Sequence, residues 1–172
     1  MKNRPIILLD FDEVIVLNRP GQFGGYDVIA PDPPPQLWSN LFHAPATEVL
    51  IQALTEHDAR IVITTSWLRF MMREGFERLF ARTGLEILNA SLHEAWEAPQ
   101  NRGETRAQAI DRWLAMHHGG EAYVILDDEL SGTGLRHSVH EKQGRLVLCK
   151  EDVGLHRDHL VLIRAALSKT DG

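Results

Sequence analysis

The chain has one cysteine, Cys149, in 172 residues, so no disulfide can form within it and a disulfide-stapled secreted scaffold is excluded. It has no apolar run approaching the roughly 18–20 residues that a membrane-spanning helix needs. The first apolar stretch, in "MKNRPIILLDFDE", meets acids too early for a secretory leader. An excess of positive charge is also missing. Lys and Arg number 18 against 24 Asp and Glu, a net charge of -6, which argues against a generic binder of nucleic acid or anionic membrane but leaves room for a local basic groove. Internal repeats and long linkers are absent too. These absences predict a single cytoplasmic domain over 1–172. The 44% hydrophobic content is enough for a sizeable core and excludes a disordered chain.

What is present alternates. Residues 5–10 ("PIILLD") are a continuous apolar run and predict a strand buried on both faces. "VIVL" (14–17) and "YDVI" (26–29) flank the Gly/Pro-rich "NRPGQFGG" and predict a small flap or hairpin, part of a short insert at about 17–43. The proline-rich "APDPPPQLW" (30–38) predicts a rigid extended loop, since each proline fixes φ and biases its predecessor away from helix. Residues 46–57 predict a helix with Val49, Leu50, Ala53 and Leu54 on one face, and 59–66 a second buried strand. Residues 67–84 predict a helix burying Met71, Met72, Phe76, Leu79 and Phe80, ended by Gly84. Another helix is expected over 104–120, strands over 122–129 and 145–149, and a last amphipathic helix over 156–168. This alternation predicts an α/β fold: a Rossmann-like three-layer sandwich around a mostly parallel sheet.

In such sheets ligands bind beyond the carboxyl ends of the strands. Three predicted strands deliver polar residues there: Asp10 and Asp12, Thr64–Thr65–Ser66, and Asp127–Asp128. Two carboxylates one residue apart are costly unless a positive charge lies near them. Three or four carboxylates on one rim form a hard oxygen site, suited to Mg2+, which keeps several waters and shares its remaining positions with a phosphate. The histidines are scattered and do not make a zinc cluster. Thr65, with Ser66, offers hydroxyl and N–H groups at a strand-to-helix turn, and Arg106 opens a helix with a fixed positive charge. Thr64 and Arg102 are rivals for the roles of Thr65 and Arg106.

The same residues carry a family resemblance. "LLDFDEVI" resembles the first motif of the haloacid dehalogenase (HAD) superfamily, "IVITTSW" the second, "TRAQAIDRWL" the third and "VILDDE" the fourth, in the family's order and over nearly the whole chain. "TTSW", "LDDE" and the late "EDVGLHRDHL" are similar to a small-cap subgroup that includes domains attached to RNA-repair proteins. The resemblance implies a Mg2+-dependent phosphatase. Asp10 would be the nucleophile, forming an aspartyl-phosphate, and Asp12 the acid and then the base. The metal would lie on Asp10, the Asp12 carbonyl, Asp128 and Asp127, with Thr65 and Arg106 on the phosphoryl oxygens. Two departures stand out: Glu13 replaces a glycine common in relatives, and Arg106 replaces the commoner lysine. The segments between motifs are too short for a large lid. An open site implies a bulky phosphorylated substrate, such as a nucleic-acid end or phosphoprotein, or a small molecule covered by a partner subunit.

Blander readings stand beside these. Thr65 and Ser66 could simply cap the next helix, and Asp127–Asp128 could begin a solvated loop. Trp67, Trp113, Met71 and Met72 read as core, Cys149 as a buried strand residue, and His117, His118, His137 and His140 as solvent-facing loop residues. Two other functions compete: a catalytically weak HAD-like binding or regulatory module, favoured only by Glu13, and a phospho-accepting receiver domain.

Overall fold

The structure, a computed structural model, describes residues 3–169. Among them, β1 (Ile6–Leu9), β2 (Arg60–Ile63), β3 (Leu92–Glu97), β4 (Tyr123–Asp128) and β5 (Leu146–Cys149) pair in parallel in the order β3-β2-β1-β4-β5. The helices are α1 (Gly25–Val28), α2 (Leu37–Asn40), α3 (Ala44–His57), α4 (Arg73–Arg82), α5 (Glu86–Ser91), α6 (Arg106–His117), α7 (Val139–Lys142) and α8 (Leu160–Leu167). This is a Rossmann-like α/β sandwich with no large cap.

Side chains alternate across each strand, so β1 feeds two cores. Ile7 and Leu9 join a cluster with Leu50 of α3, Phe80 of α4 and Ile163 of α8. Ile6 and Leu8 join a second cluster with Ile110 and Trp113 of α6. The strand is buried on both faces, which is why its sequence shows no polar alternation. Parallel register then sets the rim. Leu9 lies opposite Ile63 on one side and Leu126 on the other. The next residues, Asp10, Thr64 and Asp127, therefore emerge abreast, held by hydrogen bonds from the Asp10 amide to the Leu126 carbonyl (3.0 Å) and from the Thr64 amide to the Leu9 carbonyl (2.9 Å).

Several expectations need correction. Residues 14–17 are not a hairpin strand. They form a buried turn in which the amides of Val14, Ile15 and Val16 all donate to the Phe11 carbonyl, with one isolated bridge between Asp12 and Val16. Their apolarity reflects burial against the core rather than strand pairing. Residues 26–29 are largely helical, within and just after α1, not extended. The predicted helix over 67–84 is broken: a 3-10 turn (Ser66–Arg69) precedes α4, and Met72 at the junction is 78% exposed rather than core. Residues 156–168 likewise begin as a 3-10 turn, Arg157–His159, before α8. The proline-rich stretch 30–38 is not uniformly extended: it runs through bends and a turn closed by the Leu37 amide on the Pro34 carbonyl (3.0 Å), and its last two residues begin α2. Both α5 and the edge strand β3 were unforeseen. "LHEAWE" is polar and half-exposed, and its register against β2 is irregular, so it has neither a buried run nor a clean alternation. His140 is buried, its ring between the Tyr123 hydroxyl (2.8 Å) and Asp111 (2.7 Å), not in solvent. His117 ends α6, and half-buried His118 contacts the Glu121 carbonyl.

Among the described residues no helix is long and apolar enough to cross a membrane.

Candidate active site

Asp10, Asp127 and Asp128 form the centre of the rim. All three are buried, and each offers an oxygen within 4.8 Å of the others. One guanidinium faces two of them: Arg106 Nη1 lies 3.5 Å from Asp10 Oδ1 and 3.6 Å from Asp127 Oδ2. Arg106 is 2% exposed, and its Nη1 also donates to the Thr64 carbonyl and to Thr64 Oγ1 (3.2 Å). Arg102, by contrast, is exposed.

Local structure explains how Arg106 reaches this position. Thr105 caps α6, its hydroxyl accepting from the Gln108 amide (3.1 Å) while the Gln108 side chain accepts from the Thr105 amide (2.9 Å). That capping box makes Arg106 the first helical residue. The loop after β4 then grips the same end: the amides of Arg106 and Ala107 donate to the Thr133 hydroxyl (2.9 Å) and carbonyl (3.0 Å). The loop can come this close because residue 132 is glycine. A Cβ there would stand 2.5 Å from the Asp128 carbonyl and 3.3 Å from Asp127 Cγ. Sequence reasoning missed Thr133 and Gly132, although "SGTG" (131–134), beginning three residues after Asp128, was the available signal.

The electrostatics follow from burial. Desolvation, then the neighbouring Asp127, push the Asp10 carboxyl well above the usual carboxylate range, against the pull of Arg106. Burial pushes Asp127 up to about 6, again against Arg106. Burial is also the largest influence on Cys149, whose thiol is pushed up further by the same three acids; it sits behind them on β5, opposite Asp128. Asp10 Oδ2, Asp127 Oδ2 and Asp128 Oδ1 have no hydrogen-bond partner among the described residues. Buried carboxylate oxygens without a hydrogen bond are costly, and three converging acids that each carry one, with only the Arg106 guanidinium close by, are what a hard divalent cation would relieve. The donor set therefore fits Mg2+.

Asp12 is placed differently. Its carboxylate is outside the three-acid cluster, half-buried, with Oδ2 accepting from the Trp67 indole Nε1–H at 3.0 Å. Burial raises its pKa, and the indole hydrogen bond lowers it in part. It lines a cleft of about 300 Å³ together with Ser66, Trp67 and Tyr26. Thr65 is buried, its hydroxyl accepting from the Trp67 amide at 3.4 Å, while Ser66 is exposed. The residue between the two acids, Phe11, turns away into an aromatic nest, edge-on to Trp67 (5.1 Å), Phe76 (5.7 Å) and Phe42 (6.0 Å).

Glu13 is buried rather than solvent-facing, and its charge is among the influences that raise the pKa of Asp12. Its backbone is left-handed (φ 62°), where glycine is easiest. Its buried carboxylate accepts from the Asn18 amide (2.7 Å) and from the Asp152 amide, tying the turn after β1 to the loop after β5.

A five-stranded parallel sheet with acids at the ends of its two central strands, faced by a helix-borne cation, defines the class of HAD-type hydrolases. Within it, the family model for the HAD domain in Swiss Army Knife RNA repair proteins matches residues 6–160, and the chain belongs to that family. No curated protein and no solved structure matches it.

Proposed function

We propose that the protein is a Mg2+-dependent phosphohydrolase that works through an aspartyl-phosphate on Asp10. The observation that carries this reading is the three-acid cluster, with its oxygens that lack a hydrogen bond and Arg106 beside it. Asp10, Asp127, Asp128 and the Asp12 carbonyl would hold the ion. When bound, it neutralises charge among the acids and on the phosphoryl oxygens.

The chain's own residues then divide the work. An Asp10 oxygen attacks phosphorus, and the bond from phosphorus to the leaving oxygen breaks. Asp12, beside the cleft, gives its proton to that oxygen. It next takes a proton from the water that attacks the aspartyl-phosphate, releasing phosphate and restoring Asp10. The raised pKa of Asp12 suits a group that must begin protonated. Arg106, with Thr65 and Ser66, would hold the phosphoryl oxygens. The family description points to a nucleic-acid end as substrate, and the absence of a large cap leaves room for one.

The receiver reading loses ground to topology, because receiver sheets run 2-1-3-4-5 and this one runs 3-2-1-4-5. The weak-module reading loses its one support, since Glu13 is a structural tie. The test is hydrolysis of p-nitrophenyl phosphate. Activity that requires Mg2+, is removed by chelation, and falls at least about a thousandfold in Asp10→Asn is expected. Chelator-resistant turnover, or turnover surviving in Asp10→Asn, overturns the proposal.

A further inference from the structure

Beside Asp12 lies an aromatic shelf that the chemistry above does not use. Tyr26 is 79% exposed, and its ring is stacked on Phe70 with centroids 5.3 Å apart and planes 25° apart. The shelf is built in. Gly25 lets the flap lie directly on the 3-10 turn, since a Cβ there would meet Phe70 and Trp67 at 2.8 Å. Tyr26, Phe70 and exposed Arg69 line the same cleft as Asp12. Phe70 also lines a second cleft of about 650 Å³, whose walls include Trp38, Arg78 and Arg82. There the Arg82 guanidinium sits 4.4 Å above the Trp38 ring. The path thus runs from the acid through a stacked aromatic pair to a second aromatic–arginine pair.

Charge follows the same path. The chain carries a net -6, yet residues 66–82 hold four arginines against two glutamates. Arg73 is paired with Glu77, whereas Arg69, Arg78 and Arg82 face the two clefts. Asp27 and Glu74 also line the clefts, so the surface is mixed rather than uniformly basic. Exposed rings interleaved with arginines suit a ligand that alternates flat bases with phosphates. A phosphopeptide supplies no regular series of rings to stack.

We propose that the Tyr26–Phe70 shelf and the arginine-lined cleft beyond it bind the terminal nucleotides of a single-stranded nucleic acid whose end phosphate lies at Asp10. The base next to that phosphate stacks on Tyr26, and the following backbone passes Arg78 and Arg82. Stacking on a ring is tolerant of base identity, so little sequence preference accompanies it. This rests on the phosphohydrolase reading for the position of the phosphate, but the shelf can be judged separately.

The test uses a five-nucleotide single strand with a terminal phosphate, at the 5′ end in one arm and the 3′ end in the other. The matching mononucleotide, glycerol phosphate and a phosphoserine peptide serve as comparators. For the better oligonucleotide arm, Tyr26→Ala lowers kcat/KM at least about tenfold more than it does for glycerol phosphate, through KM, while Tyr26→Phe stays within about twofold of the parent. The double variant Arg78→Ala/Arg82→Ala narrows the preference for oligonucleotide over mononucleotide and makes the slope of log affinity against log salt shallower by about 1.4. Parallel losses on oligonucleotide and glycerol phosphate in Tyr26→Ala overturn the proposal, as does equal use of mononucleotide and oligonucleotide by the parent or preference for the peptide. Binding of the fluorescent oligonucleotide to the Asp10→Asn protein is measured in addition. If hydrolysis is absent but this binding is weakened by Tyr26→Ala, the phosphohydrolase reading falls and the shelf stands. If hydrolysis depends on Asp10 and the binding ignores Tyr26, the reverse holds.

Discussion

Trp67 shows how much a single side chain can connect. Its ring supports Phe11 between the two acids, its amide donates to Thr65, and its indole N–H donates to Asp12. A hydrogen bond to a charged group contributes about 1.5–3 kcal/mol. Trp67→Phe is expected to lower kcat about tenfold and to move the Asp12-dependent limb of the pH–rate profile upward, because the donor holding that carboxyl down is lost. An unchanged profile in a folded variant counts against this role. Gly132 is tested by addition. A methyl group 2.5 Å from the Asp128 carbonyl forces the loop off the acids, and Gly132→Ala should weaken Mg2+-dependent activity about 10- to 100-fold. Glu13→Ala bares two backbone N–H groups and should cost about 2–4 kcal/mol, seen as a lower denaturation midpoint. Glu13→Gly should cost about 1 kcal/mol less, since glycine relieves the left-handed backbone. At this scale the acids were legible because they end apolar runs. Trp67 was readable only as core, since nothing in sequence says which atom of a buried indole meets a carboxylate 55 residues away.

Elements decide what those residues face. The α6 capping box was written in the sequence as a threonine three residues before a glutamine, and it starts the helix at Arg106. What Arg106 faces depends on β1 and β4, which lie far from it in sequence. The break between the 3-10 turn and α4 was not legible, because the apolar spacing of 67–84 reads as one helix whether or not it is interrupted. A pH effect belongs to the start of α8. Burial, together with His156, whose ring centroid is 3.8 Å away, pushes His159 down to about 4, while Asp158 pulls the other way. The folded state then binds fewer protons than the unfolded state between about pH 6.5 and 4. Stability from this group is full above 6.5 and declines as pH falls through that window. His159 is only half-buried, so the effect is on the order of 1 kcal/mol after allowance for solvent screening. Asp127, raised to about 6, acts in the opposite sense, so the informative measurement is a difference. His159→Gln should lose less stability than the parent between pH 7 and pH 5 in chemical denaturation.

For the molecule as a whole, the proposed Mg2+ would couple chemistry to stability. Three buried carboxylates repel one another in the metal-free protein, so Mg2+ at about a hundred times its dissociation constant should stabilise the fold by about 2.7 kcal/mol. For a chain of this size that raises the melting temperature by about 5–10 °C. The increment should largely vanish in Asp128→Asn, and an equal increment in parent and variant would place the ion elsewhere. The amino-acid order by itself determined the α/β class, the four strands of the apolar runs and the acids that end two of them, because burial on both faces and a charged terminus are local patterns. Only the tertiary structure decided that Asp10, Thr64 and Asp127 stand abreast, that Arg106 rather than Arg102 faces them, that Glu13 is a tie, and that Tyr26 opens a shelf beside Asp12. Those facts depend on strand register and on contacts between segments tens to more than a hundred residues apart, and a local pattern carries no information about which distant partner a side chain will meet.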